Sequence, residues 1–421
     1  MKKALFFFLL LFPLVTHAKI YILIEEASAK KFPIAVPQFL NSSGKTSPET
    51  ESITKLVRDD LKIAGIFKIL DESVFTAPDH DVETIDFAKW TAIDAFALLK
   101  GIVDKRGGRL VLEMRLYDTR TKELLAGKQY TVEKKDYPAA VHRFMDETML
   151  ALTGTKGPFS SRIAAACGKQ NGRQIHSVAI DGTFKSQVTK IKANNISPTW
   201  SPSGSQIAFT SFIRYYPEVF IVGANGGGLK QLTNFRATTI TPSFSPSGDA
   251  IAFASSRSGD TELYVMTPGG SLTSRLTAIV NIDLSPAWSP DGGQIVFASE
   301  RAGNLHLFSM PKSGGSGVRL TYTGYQNDQP DWSPDGKRIV FTARDRGAFD
   351  VFMMNADGTM IQRLTRDEGN NESPTWSPDS RYVSFSRGNS GIFVMLDDGN
   401  NQTGIPGTAG CINPEWGPWV K

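Results

Sequence analysis

The chain has 421 residues, with 46 Lys and Arg against 42 Asp and Glu, a formal net charge of +4 and 40% hydrophobic residues. This near balance, without a long basic run, argues against nucleic acid as a partner. Gly (38) and Pro (23) are frequent enough for many short strands and turns, and two cysteines are too few for a disulfide-dense scaffold.

The first element in chain order is a leader. Lys2 and Lys3 precede an apolar run over 4–15, and Thr16-His17-Ala18 offers small residues for cleavage after Ala18. The run is too short for a membrane span, which needs roughly 20 residues, and reads as a secretory signal over 1–18. Residue 19 is Lys rather than Cys, so no lipid anchor is offered there, and no later stretch reaches the length of a spanning helix. The mature chain is therefore expected to be exported and not membrane-spanning.

Residues 19–156 alternate strand and helix signals. Strands are expected at 20–24, 33–39, 97–105, 109–118 and 124–132, and helices at 49–65 and 137–154. Ile53, Leu56, Val57, Leu61 and Ala64 form one helical stripe. Val141, Phe144, Met145, Thr148, Met149 and Leu152 form another. Gly154 and the following residues mark a stop and a linker. The reading is a small α/β domain with a mixed sheet. Residues 19–30 are extended and read either as the first strand of that domain or as a separate peptide.

Residues 157–421 carry a repeat. SPTWSPSGSQIAF begins at 197 and recurs in related form at 241, 285, 329 and 373. The anchors Trp200, Phe244, Trp288, Trp332 and Trp376 are 44 residues apart, and Trp416 follows after 40. Each unit reads as four strands, with a Ser-Pro-Asp/Ser-Gly turn after the first and Leu-Thr ending the fourth. Four strands at this period are the signature of a six-bladed β-propeller. The stretch 162–189 lacks a first strand and 411–419 is a first strand with nothing after it, so the two complete one blade and remove a sheet edge. If Trp416 opposes Ile163 as Trp200 opposes Ile207, Cys167 and Cys411 lie at the same end of paired strands. They are expected to be close neighbours, either disulfide-bonded or two buried thiols.

Catalytic residues, a cofactor and a metal are not expected. The histidines at 17, 80, 142, 176 and 306 have no metal-ligand spacing, and neither a nucleophile elbow nor a phosphate-binding loop occurs. Asp291, Asp335 and Asp379 read as turn-stabilising, and His142 as structural. The loops before each first strand, at 236–240, 281–284, 325–329 and 369–372, differ while the framework repeats. A fixed scaffold with varied loops suits protein docking.

The signal, the mature start KIYILIEEASAKKFPIAV (19–36), the stretch HRFMDETMLALTGTKGPFSSRIA (142–164) and the six blades together resemble the TolB family of periplasmic Tol-Pal components. The resemblance implies a monomeric, non-enzymatic periplasmic adaptor that maintains outer-membrane integrity and invagination during cell division. It implies that the propeller face holds the lipoprotein Pal, and colicins in some bacteria. The N-terminal peptide would bind TolA or dock back, with other Tol or outer-membrane proteins as further partners. By position, the TolA-binding peptide would include Lys19, Ile20, Tyr21, Ile22, Leu23, Ile24, Glu25 and Glu26. The Pal-facing residues would be Arg236, Thr238, Thr241, Asp283, Leu284, Tyr325, Asn327, Asp328 and Asn371. An exported enzyme or sugar-binding propeller would instead need converging carboxylates or a metal in the channel, which the linear sequence does not cluster. A purely structural envelope module would bind its partners equally with or without the N-terminal peptide.

Overall fold

The computed structural model describes residues 31–75, 82, 84–278, 280–344, 347–366 and 368–420. The leader and the 19–26 peptide lie outside the described residues.

The N-terminal part is a five-stranded mixed sheet carrying helices. Its strands are β1 (Phe32–Ala35), β2 (Phe67–Ile69), β3 (Ala97–Arg106), β4 (Arg109–Asp118) and β5 (Leu124–Val132), in the order β2-β1-β3-β4-β5. β1 runs parallel to β2 and β3, while β3, β4 and β5 are antiparallel. Helix α1 (Pro48–Ala64) starts at Ser47, whose side chain accepts the Thr50 amide, and ends at Gly65 in the left-handed region. Helix α3 (Tyr137–Thr153) ends the same way at Gly154. Ile53, Val57, Leu61, Val141, Phe144 and Met149 are buried in one core with the sheet. The strand expected over 33–39 stops at Ala35, because Pro37 has no N–H for a ladder. β2 and the short helix α2 (Phe87–Ala92) were not anticipated.

The remainder forms six blades of four antiparallel strands, with five innermost strands ending at their anchors and the sixth running past Trp416 to Trp419. The C-terminal strand Ile412–Trp419 pairs with β6 (Ser161–Cys167), placing Trp416 opposite Ile163 as Trp200 is opposite Ile207. This closes the ring as the repeat implied. Cys167 and Cys411 are disulfide-bonded at that seam. Each anchor is large enough to bury about 150–250 Å², worth about 4–6 kcal/mol as an upper bound.

The repeated motifs have local causes. In five blades the Ser after the anchor accepts, through its hydroxyl, the amide five residues on, at 2.9–3.1 Å. The next turn needs positive φ, supplied by Gly204, Gly248, Gly292 and Gly336 and by Ser380 in blade 6. Asp291 and Asp335 accept from the preceding Ser hydroxyls, so these aspartates brace turns. The Leu-Thr signature is a cross-strand bond. Thr189, Thr233, Thr277, Thr321, Thr365 and Thr408 each accept the amide that opens the third strand of their blade, at 2.8–3.0 Å.

The two parts share one interior. Ile163, Val178, Tyr382 and Trp416 of blades 1 and 6 belong to the same buried cluster as Ile53, Phe144 and Met149. Polar contacts lock the seam. Tyr382 donates to the Ala64 carbonyl at 3.1 Å, and Asn401 donates to the carbonyls of Lys62 and Ile63. Trp419 donates to Gly157, and Asp146 accepts the Phe159 amide at 2.8 Å. All the propeller groups here sit where first strands end, second strands begin, or third strands turn into fourth. The N-terminal part therefore covers the turn side of blades 1 and 6. The opposite side, with the loops leading into the first strands, is left open.

Candidate protein-docking face

On the open side, the six inner strands surround a central channel. Each carries an X-Pro pair three residues before its anchor: Ser197, Thr241, Ser285, Gln329, Ser373 and Asn413, each followed by proline. All six leading residues have φ between +47° and +54°. Residues before proline favour extended backbone, and the left-handed region is uncommon for side chains other than glycine. Each sits at a register shift in its strand, so the fold holds the same strained bulge six times around the mouth.

One position earlier, the ring reads Ile196, Ile240, Leu284, Asp328, Glu372 and Ile412. One position before the anchors it reads Thr199, Ser243, Ala287, Asp331, Thr375 and Glu415. The channel wall is therefore built of hydroxyls and prolines on the side of blades 2 to 4, with Thr199, Thr241, Ser243 and Ser285, while Asp331 and Glu415 line it from blades 5 and 1. Ile196, Ile240 and Leu284 pack between the blades. Burial pushes the Asp331 carboxyl up to about 6, although it accepts the Trp376 amide at 2.7 Å. Burial and then the Asp331 charge hold Glu415 well above the usual carboxylate range. Burial raises Asp328, and burial with the Asp328 charge raises Glu372.

Outside the channel the face carries exposed apolar side chains. The loop between the second and third strands of blade 2 presents Phe212, Ile213, Tyr215 and Tyr216, with Tyr215 91% exposed and its ring 4.9 Å from that of Tyr216. The loops entering blades 4 and 5 add Val280, Tyr322 and Tyr325, 82%, 68% and 67% exposed. Beside them, arginines closing the second strands lie over aromatic rings: Arg257 over Phe235, Arg301 over Phe308 and Arg387 over Phe393. Arg319 lies over the exposed Tyr322 ring, 4.8 Å from its centroid, and exposed tyrosines with a stacked guanidinium have the composition of a protein interface core rather than of ordinary solvated surface.

Residues 149–420 match the TolB beta propeller domain, and residues 20–125 match the TolB amino-terminal domain. The chain belongs to the TolB family. It is 34% identical over 208 residues to the Tol-Pal system protein TolB of Desulfosudis oleivorans, covering 48% of this chain and 47% of that one. It is 33% identical over 214 residues to the same-named protein of Syntrophus aciditrophicus, again covering 48% and 47%. The chain thus spans about half the length of these curated relatives in the matched region. The crystal structure of TolB from Acinetobacter baumannii shares the fold, with a TM-score of 0.79 and 24% identity over 92% of this chain and 97% of that one.

In this TolB-family chain, the residues expected to face Pal divide into two sets. Arg236 and Tyr325 are exposed, and Thr238, Thr241, Leu284 and Asp328 are half-buried around the mouth. Asp283, Asn327 and Asn371 are buried. Asp283 pairs with Arg301 at 3.0 Å, Asn327 donates to the Thr323 carbonyl, and Asn371 accepts from Arg387. These three stand five residues before their anchors, at the position occupied by Asn195, Thr239 and Cys411 in the other blades. Asp283 and Asn371, like Thr239 with Ser255, join the first strand to the second, and in blade 1 the disulfide takes that place. Asn327 and Asn195 instead reach carbonyls of the preceding blade, Leu305 and Arg173.

The reading from sequence missed the Phe212–Tyr216 loop and the convergence of Asp331, Glu372 and Glu415 with Asp328. The loop had a signal, since consecutive aromatics run past the alternation of Ile207-Ala208-Phe209. The acids had one only in the repeat frame, where they recur at two fixed distances from the anchors.

Proposed function

We propose that the chain is a non-enzymatic periplasmic adaptor of a Tol-Pal system. In this reading, residues 1–18 are a leader removed after Ala18, 19–156 form the N-terminal domain with its terminal peptide, and 157–421 form the propeller. The propeller holds the lipoprotein Pal on the open face, and the peptide 19–30 engages TolA, adding a strand to a partner sheet edge. The protein thereby supports outer-membrane integrity and invagination during division. The observation that carries the docking assignment is the exposed Tyr215, Tyr216, Tyr322 and Tyr325 beside the channel mouth, on the side that the N-terminal domain leaves uncovered.

The test uses the mature chain with purified Pal and TolA domains from the same organism. Deleting 19–30 is expected to abolish TolA binding and leave Pal binding intact. Unchanged TolA binding after the deletion removes the peptide assignment. Absence of Pal binding by the intact mature chain removes the docking assignment.

A further inference from the structure

We propose that Asp60, His142 and Asp181 form a divalent-cation site of the zinc class that fastens the N-terminal domain to blade 1. The three residues come from α1, α3 and the turn after the blade strand Gln174–Val178, so they meet only where the two parts join. One ligand atom from each lies within 4.8 Å of the others. His142 Nε2 is 3.1 Å from Asp181 Oδ2 and 3.6 Å from Asp60 Oδ1, and the side chains of His142 and Asp60 are 1% and 0% exposed.

The cluster lacks hydrogen atoms to hold it together. Two carboxylates converge on a single imidazole nitrogen, and one N–H there serves only one of them. Among the described residues, both oxygens of Asp60 are buried and accept no hydrogen bond. A buried carboxylate in that state is strongly unfavourable unless a positive charge faces it. Arg162 acts on Asp181 from the side, but its guanidinium is held over the Phe184 ring, 4.4 Å from the centroid.

A small dication fits these distances. Zinc binds imidazole nitrogen and carboxylate oxygen at about 2.0–2.2 Å, which sets ligand atoms about 3.3–3.5 Å apart around a tetrahedron. The two separations from the imidazole, 3.1 and 3.6 Å, bracket that value, and the carboxylates lie within 4.8 Å of each other, near enough to close on an ion. Asp181 is also oriented as a ligand. Its other oxygen accepts from the amide and hydroxyl of Thr183 at 3.0 and 2.8 Å, leaving Oδ2 aimed at the histidine. One nitrogen and two oxygens in a buried site suit zinc better than calcium, which takes six to eight oxygens. The remaining position would fall to water or to the second oxygen of Asp60.

The experiment uses the untagged mature chain after removal of metals by chelation. Zn²⁺ is added at pH 7.5 and followed by equilibrium dialysis, with Co²⁺ as a visible-absorbing probe. The expected results are one bound equivalent, Co²⁺ bands displaced by Zn²⁺, and an unfolding midpoint raised by about 3–5 °C at a hundredfold excess over Kd. Asp60→Asn and Asp181→Asn keep the side-chain shape and are each expected to lower affinity at least tenfold, with near-ultraviolet circular dichroism reporting their folding. No bound equivalent on the wild-type chain overturns the site, whatever the variants do. Equal Zn²⁺ affinity in a folded variant, or uptake of Ca²⁺ or Mg²⁺ in preference to Zn²⁺, overturns it as well.

Discussion

Tyr382 of blade 6 donates its hydroxyl to the carbonyl of Ala64, 3.1 Å away and 318 residues earlier in the chain. The acceptor is the last residue of α1, where carbonyls lack helical partners. The propeller thus caps a helix of the neighbouring domain. Tyr382→Phe leaves that carbonyl buried without its donor and is expected to cost about 1–2 kcal/mol, read as a lower urea midpoint with an unchanged slope. Tyr382→Ala also opens a cavity in the shared core, at about 3–5 kcal/mol, and is expected to split unfolding into two transitions.

The seam at Cys167 and Cys411 closes a loop of 244 residues. Replacing both by Ser is expected to lower stability by about 2–4 kcal/mol, measured by denaturant unfolding against the oxidised wild type. Because the bond stands where Thr239, Asp283 and Asn371 link the first strand of their blades to the second, local exchange protection in β6 is expected to fall first.

Channel acids set a pH dependence. Burial raises Asp331 to about 6, above the ordinary carboxylate range, and Glu415 is raised as well. The folded state therefore binds more protons than the unfolded chain. Their contribution falls as pH rises from about 4 through 6, and the loss is complete above the folded values. Glu415→Gln removes one of the two buried like charges. It is expected to stabilise the protein by about 1–2 kcal/mol at pH 8 and to flatten the slope of stability between pH 4 and 8. An unchanged slope refutes this account.

The docking face predicts a pattern of affinity loss without loss of fold. Tyr215→Ala and Tyr325→Ala each remove an exposed ring, and each is expected to weaken Pal binding tenfold or more, measured by titration calorimetry, with the melting temperature within 1 °C of wild type, roughly the scatter of surface substitutions. Asn327→Ala, whose side chain is buried, is expected to do the reverse and lower the melting temperature.

Much of this architecture was legible because it repeats. The anchors, the Ser-Pro-Asp-Gly turn and the terminal Leu-Thr recur at one period, and repetition converts weak local signals into a count of blades. Trp416 and Ile163 fall in register because the same frame runs through both ends. The pieces that escaped had little periodicity. β2 is three residues long and α2 six, too short for any alternation to show. The residues expected to face Pal, taken from the loops leading into the first strands, mixed two structural positions, since the same loop places Tyr325 in solvent and Asn327 beneath it. Asp60, His142 and Asp181 carry no common spacing, because their meeting depends on how one domain seats on the other.

That seating has a mechanical consequence. Ile53 and Phe144 share an interior with Tyr382 and Trp416, so there is no joint at residues 154–160 about which the halves could swing. A pull on one end of the molecule is passed to the other as through a stiff rod. A message between two bound partners must then travel by breaking the seam itself or by shifting loops within the ring.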